Sequence, residues 1–90
     1  MRPFDPETLR ALADDLERLA HGRGPDPRLL ARAPLLEGWA VVKSASPVLA
    51  GIVTGHPTCG PGPIVTSTLW RIDAEAGWAR TTNRLYRLGG

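Results

Sequence analysis

The clearest pattern in this chain is a stripe of leucines near its N-terminus, spaced three or four residues apart: Leu9, Leu12, Leu16 and Leu19. That spacing predicts an amphipathic α-helix. Asp5 and Pro6 are typical of an N-cap followed by the first helical residue, and Phe4 has the spacing of a hydrophobic staple with Leu9. Gly22 suits the position just after the helix, which we expect to end near residue 20 or 21.

A second, shorter helix is predicted for residues 27–33. Asp26 and Pro27 repeat the cap-and-proline start. Pro34 should end the helix, because proline disfavours helical geometry in the residue before it. We expect Leu29 and Leu30 to turn toward the interior.

From Gly38 onward the pattern changes to that of β-structure. Segments with β-branched and aromatic residues predict strands at residues 39–43, 48–54, 64–72, 78–81 and 84–88. Gly51 marks a bulge or a close backbone approach. Residues 55–63 hold three glycines and three prolines and are predicted as a loop. Asn83 is expected at the tip of the last hairpin with a positive φ.

These elements predict an α+β fold and a single domain over residues 1–90, with a helical part at 5–33 and a β part at 38–88. The two N-terminal helices would pack on a small five-stranded antiparallel sheet. The strand lengths also suit a small SH3-like barrel, and the sequence leaves both options open.

Charge is distributed unevenly along the chain. The net charge is +2, but residues 1–37 hold seven acids and six arginines, whereas residues 38–90 hold two acids and five basic residues. The basic second half indicates an anionic partner, although such an imbalance also serves solubility alone.

The remaining composition restricts the class of protein. A single cysteine, Cys59, excludes an intramolecular disulfide framework. No apolar run approaches the roughly 18 residues of a membrane span, and the N-terminal segment has no apolar core of a signal peptide. We therefore expect a cytoplasmic protein with no membrane contact.

No residue set is typical of catalysis. His56 and Cys59 have an H-x-x-C spacing, but the only other histidine is His21, so a zinc site lacks ligands. Most acids are expected on the solvent-exposed face of the first helix, and no phosphate-binding loop follows a strand. The sequence predicts a non-enzymatic protein without a metal or another cofactor.

Arginines and aromatic residues alternate in the C-terminal third of the chain. Period-two alternation places Arg84 with Tyr86 on one face of the last strand and Arg87 on the other. Such residues either form a cationic, aromatic binding platform or pack arginine stems over aromatics inside one protein. The predicted binding residues are Arg71, Arg80, Arg84, Arg87, Trp70, Trp78 and His56.

The C-terminal sequence resembles a family of small bacterial proteins that end in a G-H-P … T-S … W-A-R-T-x-x-R-x-Y-x-L pattern. The matching segments are Gly55–Pro57, Thr66-Ser67, Trp78–Thr81 and then Arg84-x-Tyr86-x-Leu88. The resemblance covers roughly residues 10–90 and implies no assigned chemistry. Such genes occur on prophages and plasmids. In size and basic strand face, the chain is also similar to some phage anti-CRISPR proteins of type I systems.

Together these features favour a small binding protein of mobile-element origin. The concrete form of this hypothesis is an inhibitor, such as an anti-CRISPR, that binds a host effector complex and blocks access to nucleic acid. The alternatives are a small β-barrel that binds nucleic acid directly, and a homodimeric accessory protein that pairs through its last strand at a sheet edge.

Overall fold

Helix α1, Pro6–Ala20, begins and ends as its sequence predicts in the computed structural model, which describes residues 5–89. The Asp5 carboxylate accepts a hydrogen bond from the Thr8 amide at 3.0 Å, which satisfies one free N–H of the first turn. Gly22 follows the helix with a φ of 75°. The predicted contact of Phe4 lies outside the described residues.

The buried face of α1 differs from the predicted leucine stripe. Leu12 and Leu19 are buried, but Leu9 is largely exposed and Asp15 lies in the interior between them. The expectation that the acids of this helix face solvent is therefore wrong for Asp15. Its position, three residues after Leu12 and four before Leu19, places it on the apolar side of the helix.

Helix α2, Pro27–Arg32, confirms the second predicted helix. The Asp26 carboxylate accepts from the Arg28 amide at 2.9 Å, and Pro34 follows the helix at once. Leu30 packs against the core, whereas Leu29 is 46% exposed, so the prediction that both turn inward is wrong for Leu29.

Six strands form one mixed sheet, rather than the five antiparallel strands predicted. Their bounds are β1 Leu35–Lys43, β2 Pro47–Thr54, β3 Gly62–Val65, β4 Leu69–Asp73, β5 Trp78–Thr81 and β6 Leu85–Leu88. The strand order is β3-β2-β1-β6-β5-β4. All neighbours are antiparallel except β1 and β6, which pair in parallel through Leu35 with Arg87 and Leu36 with Leu88.

The predicted long strand at residues 64–72 is split, and its two halves lie at opposite edges of the sheet. Thr66 explains the break: its hydroxyl accepts from the Leu49 amide at 3.0 Å and donates to the Ser67 carbonyl at 2.9 Å. The Leu49 amide is thus bonded to a side chain and not to a main-chain carbonyl, and the ladder with β2 ends at this point. Because β3 and β4 are not paired with each other, the described strands form an open sheet and not a closed SH3-like barrel.

The core lies on both faces of the sheet. On the inner face of the curled sheet, the buried residues are Leu36, Leu49, Val53, Ala79 and Tyr86. On the other face, Trp78 of β5 and Leu85 of β6 pack against Leu19 of α1 and Ala33 at the end of α2. Alternation along β5 and β6 therefore sends Ala79 and Tyr86 into one cluster and Trp78 and Leu85 into the other.

The prediction for Gly51 is confirmed, whereas the prediction for Asn83 is wrong. Gly51 does mark a close approach, because a Cβ there would lie 2.9 Å from the Glu37 carbonyl oxygen, beside a bulge in β1. The positive φ predicted for Asn83 is wrong. The hairpin loop is held instead by Thr81, whose hydroxyl donates to the Arg84 carbonyl at 3.2 Å.

Candidate functional site

The four arginines predicted to form one cationic platform lie in different environments. Arg80 on β5 is only 4% exposed, and Arg84 in the following loop is half-buried. Arg87 donates its Nε–H to the Ala33 carbonyl at 2.8 Å, which ties β6 to the end of α2. Arg71, on the edge strand β4, is exposed. Arg87 is exposed as well, whereas Arg80 is internal, so the four arginines do not form one exposed face.

The aromatic residues of the predicted platform are likewise partly buried and partly exposed. Trp78 lies in the core beneath the helices and Tyr86 in the core of the inner sheet face, so the packing interpretation applies to both. Trp70 is 51% exposed, with its indole N–H donating to the Thr82 hydroxyl at 3.0 Å. Of the predicted aromatic residues, Trp70 is thus the one that presents a surface to a partner.

An ion pair between α1 and β5 replaces the predicted platform as the main electrostatic feature. Nη1 of Arg80 lies 3.2 Å from Oδ2 of Asp15, and both side chains are buried. Burial raises the pKa of Asp15 above its ordinary value although Arg80 opposes this change, and burial likewise lowers the pKa of Arg80. For both groups, the loss of hydration therefore outweighs the attraction of the partner.

Several buried guanidinium N–H donors, in Arg80 and in two other arginines, have no hydrogen-bond partner. These atoms are Nε and Nη2 of Arg80, Nε of Arg84 and Nε of Arg18. All three arginines line a cleft of about 550 Å³ between the two helices, the end of β5 and residues 83–85. We call it the arginine cleft. Its other lining residues are Ala11, Asp14, Asp15, Asp26, Leu29, Arg32, Ala33, Pro34, Gly55, Pro57, Asn83 and Leu85.

The loop that contains His56 forms one rim of the arginine cleft through Gly55 and Pro57. Nδ1 of His56 accepts hydrogen bonds from the amides of Thr58 and Cys59, both at 3.1 Å. The neutral ring consequently carries its proton on Nε2. Its centroid is 6.2 Å from that of Tyr86, and burial together with the Arg84 charge lowers the pKa of His56.

Sequence reasoning found Arg80, Arg84 and His56 but missed Asp15, Arg18 and the cleft that they share. The spacing of Asp15 from Leu12 and Leu19 is the signal that could have identified it, because it places a carboxylate on an apolar helix face. The pairing partner was not predictable from local pattern, since it lies 65 residues away on another element.

A second surface feature is an apolar face on β1, β2 and β3, opposite the inner core. In register, Ile52 lies beside Pro63, and Ala50 lies between Ala40 and Val65. Ile52 and Val65 are 48% and 69% exposed. We call this set, Ala40, Ala50, Ile52, Pro63 and Val65, the outer apolar face. A contiguous exposed apolar patch of this kind is typical of an interaction surface.

Other site types find no support in the part of the chain that the structure describes. Across residues 5–89 no three histidine, cysteine or acidic side chains are grouped so that they could hold a metal ion. Within the same residues, neither helix has the length and apolar character needed to span a membrane.

Replacing Asp15 by alanine should lower the free energy of unfolding by about 3–5 kcal/mol, because the Arg80 guanidinium would stay buried without its counter-charge. Urea denaturation followed by circular dichroism measures the change. Asp14→Ala is the matched control: it removes an exposed carboxylate from the same helix and should change stability by no more than about 0.5 kcal/mol. Equal losses in both variants would contradict the importance of the buried pair.

Acidification should weaken the loop that His56 holds. The folded pKa of His56 is below its ordinary value of 6.5, so the neutral ring stabilises the fold above that pH, and this contribution is lost as the pH falls through the lowered pKa. Protonation also places a hydrogen on the nitrogen that accepts two amides. We expect the melting temperature to fall between about pH 7 and about pH 5.

His56→Asn tests this cause, because its amide oxygen accepts the same N–H groups but does not titrate. The variant should show a smaller fall in melting temperature over the same pH range. A fall identical to that of the unmodified protein would assign the pH dependence to other groups.

Comparisons with known proteins identify the family of this chain. Searches of curated proteins and of solved structures each found no match. A family model described as "Family of unknown function (DUF6634)" matches residues 3–90, which includes both helices, all six strands and every residue of the arginine cleft. The chain therefore belongs to the DUF6634 family of unknown function.

Proposed function

We propose that this protein is a non-enzymatic binding protein that takes an anionic group of its partner into the arginine cleft. The observation that carries the proposal is the set of buried N–H donors on Arg18, Arg80 and Arg84 that have no hydrogen-bond partner. A buried donor left unpaired costs about 1–3 kcal/mol, and more when it is charged. These atoms are closed to solvent in the structure, so an anion would satisfy them once the side chains that cover them move aside. Charge-assisted bonds of this kind are the strong ones.

The charges around the cleft support binding over catalysis. Asp15 is already paired with Arg80, and the Asp26 carboxylate caps α2. Nδ1 of His56 is occupied by two backbone amides, so it is not free to take a proton from a substrate. Asp15, Asp26 and His56 are thus used to hold the structure.

An inhibitor of a host effector complex, such as a phage anti-CRISPR, is a narrower form of this proposal. A partner that handles nucleic acid would offer either acidic side chains or bound phosphates to the cleft. Direct binding of nucleic acid is the alternative, and the exposed Trp70 and Arg71 on the edge strand β4 are its support. Affinity that falls steeply with salt would distinguish it.

The test is a titration with two small anions, benzoate and phenyl phosphate, observed through the arginine Nε–Hε resonances of the ¹⁵N-labelled protein. At least one anion should shift the signals of Arg80 and Arg84, with a dissociation constant on the order of 1 mM for ligands of this size. Arg84→Gln should weaken that binding by at least about tenfold, because it removes a charge-assisted donor.

Arg71→Gln is the matched control, since it removes the same charge from an exposed strand outside the cleft. It should leave the affinity within about twofold, as expected for a screened surface charge. If neither anion moves the Arg80 and Arg84 signals, the proposed function is wrong.

A second candidate function is self-association through the outer apolar face. The named residues of this face carry no charge, and the exposed Glu37, the register partner of Ile52, lies at its border. Pairing through the last strand, as expected from the sequence, is contradicted because β6 lies between β1 and β5. The edge strand β3, which contributes to this face, carries Pro63, and its missing N–H disfavours strand addition at that edge.

Sedimentation velocity tests this candidate. The unmodified protein should shift toward a dimer as its concentration rises, and Ile52→Glu should stay monomeric because it buries an unpaired charge in the contact. Ala74→Glu adds the same charge in the exposed β4–β5 turn and should dimerise normally. A monomer at every concentration would rule out the dimer.

A further inference from the structure

The arginine cleft has features that distinguish among anions. Resting on the proposed function, we infer that its ligand presents a single carboxylate on an apolar body. Four features of the cleft carry this inference: the free edge of the Arg80 guanidinium, the net charge of the lining, the occupied backbone amides at the rim, and the apolar walls.

Arg80 offers a two-pronged donor. Its Nη1 is directed to Asp15, and the two atoms without partners, Nε and Nη2, lie on one edge of the planar guanidinium. Two parallel N–H groups on such an edge match the two oxygens of a coplanar carboxylate. Asp15 thereby leaves the Nε–Nη2 edge of Arg80 without a partner, and Nε of Arg84 and Nε of Arg18 are further buried donors without one.

The charge of the cleft suits one negative charge and not two. Its lining holds four arginines against three aspartates, a net charge of +1. Asp14 and Asp26 both act on Asp15 to raise its pKa, so the acids are close enough to one another to repel. A monoanion balances the lining, whereas a dianionic phosphate ester would leave one negative charge uncompensated beside the buried carboxylate of Asp15.

The backbone groups that phosphates favour are not free at this cleft. The amides of Thr58 and Cys59 donate to His56, and Pro57 has no N–H. At the start of α2, the Asp26 carboxylate occupies the position where a helix N-terminus would receive an anion, and Pro27 again has no N–H. The charged donors of the cleft lining are all arginine side chains, and the side-chain amide of Asn83 lies among them.

The walls of the cleft indicate an apolar body behind the carboxylate. Leu29, Pro34, Pro57 and Leu85 line it, and its volume of about 550 Å³ lies in the range of small-ligand sites. Leu29 is 46% exposed although it neighbours a buried charge network. An aromatic or aliphatic group bound against Leu29 would cover that side chain while its carboxylate reaches Arg80.

A carboxylate on an apolar body has two sources: a free carboxylic acid, or the C-terminal carboxylate of a partner protein. Titrations of the ¹⁵N-labelled protein with acetate, benzoate, phenyl phosphate and a short leucine-terminated peptide compare them. Near pH 7.5 phenyl phosphate is mainly a dianion, because its second pKa is about 6. Benzoate should bind at least about tenfold more tightly than phenyl phosphate or acetate.

The peptide separates the two sources. Tighter binding of the peptide than of benzoate, lost when its terminus is amidated, assigns the site to a protein C-terminus; equal or weaker binding assigns it to a free acid. Tighter binding of phenyl phosphate than of benzoate overturns this inference and leaves the proposed function intact. Failure of all four probes to shift the Arg80 and Arg84 signals overturns both.

Two variants test the roles of the arginines. Arg80→Lys keeps a cation for Asp15 but removes the two-pronged edge, so benzoate affinity should fall at least about tenfold. If that variant does not fold, Arg84→Gln gives the same test on a half-buried side chain, with Arg71→Gln as the control. Unchanged benzoate affinity in a folded Arg80→Lys or in Arg84→Gln would contradict the assignment.

Discussion

The buried pair of Asp15 and Arg80 is the interaction on which the arrangement of this molecule depends. It joins the first helix to β5, across a core that is otherwise apolar. Burial disfavours the charged form of both groups, so the pair contributes less to stability than a well-packed apolar contact would. The pair also ties the helix to the sheet beside the arginine cleft, which both residues line.

Local signals in the sequence were sufficient for the helices and for single special residues. The ends of α1 and α2 follow from Asp5, Asp26 and the prolines around them, and Gly51 was singled out because a glycine inside a strand pattern marks a bulge or a close approach. The signals for these features lie in the local sequence, although the group that approaches Gly51 is the Glu37 carbonyl. The order of the strands has no local signal, and it was therefore predicted only as far as the α+β class.

The errors have a common physical cause in long-range contacts. The break after Val65 depends on the Thr66 hydroxyl meeting the Leu49 amide, 17 residues away in the chain. Likewise, the environment of Arg80 is decided by Asp15, and that of Arg87 by the Ala33 carbonyl. Strand alternation correctly assigned Arg80 and Arg87 to one face of their strands, but it did not indicate that the helices would cover this face.

The parallel pairing of β6 with β1 has a consequence for how the chain acquires its structure. In the sheet, β6 joins β1–β3 to β4–β5 through residues 85–88, and the inner core packs residues of both parts together. During synthesis neither half can complete its core until Leu88 has left the ribosome. The contacts that close the molecule span most of its length, which favours slow, late folding and leaves apolar strands open to chaperones in the interval.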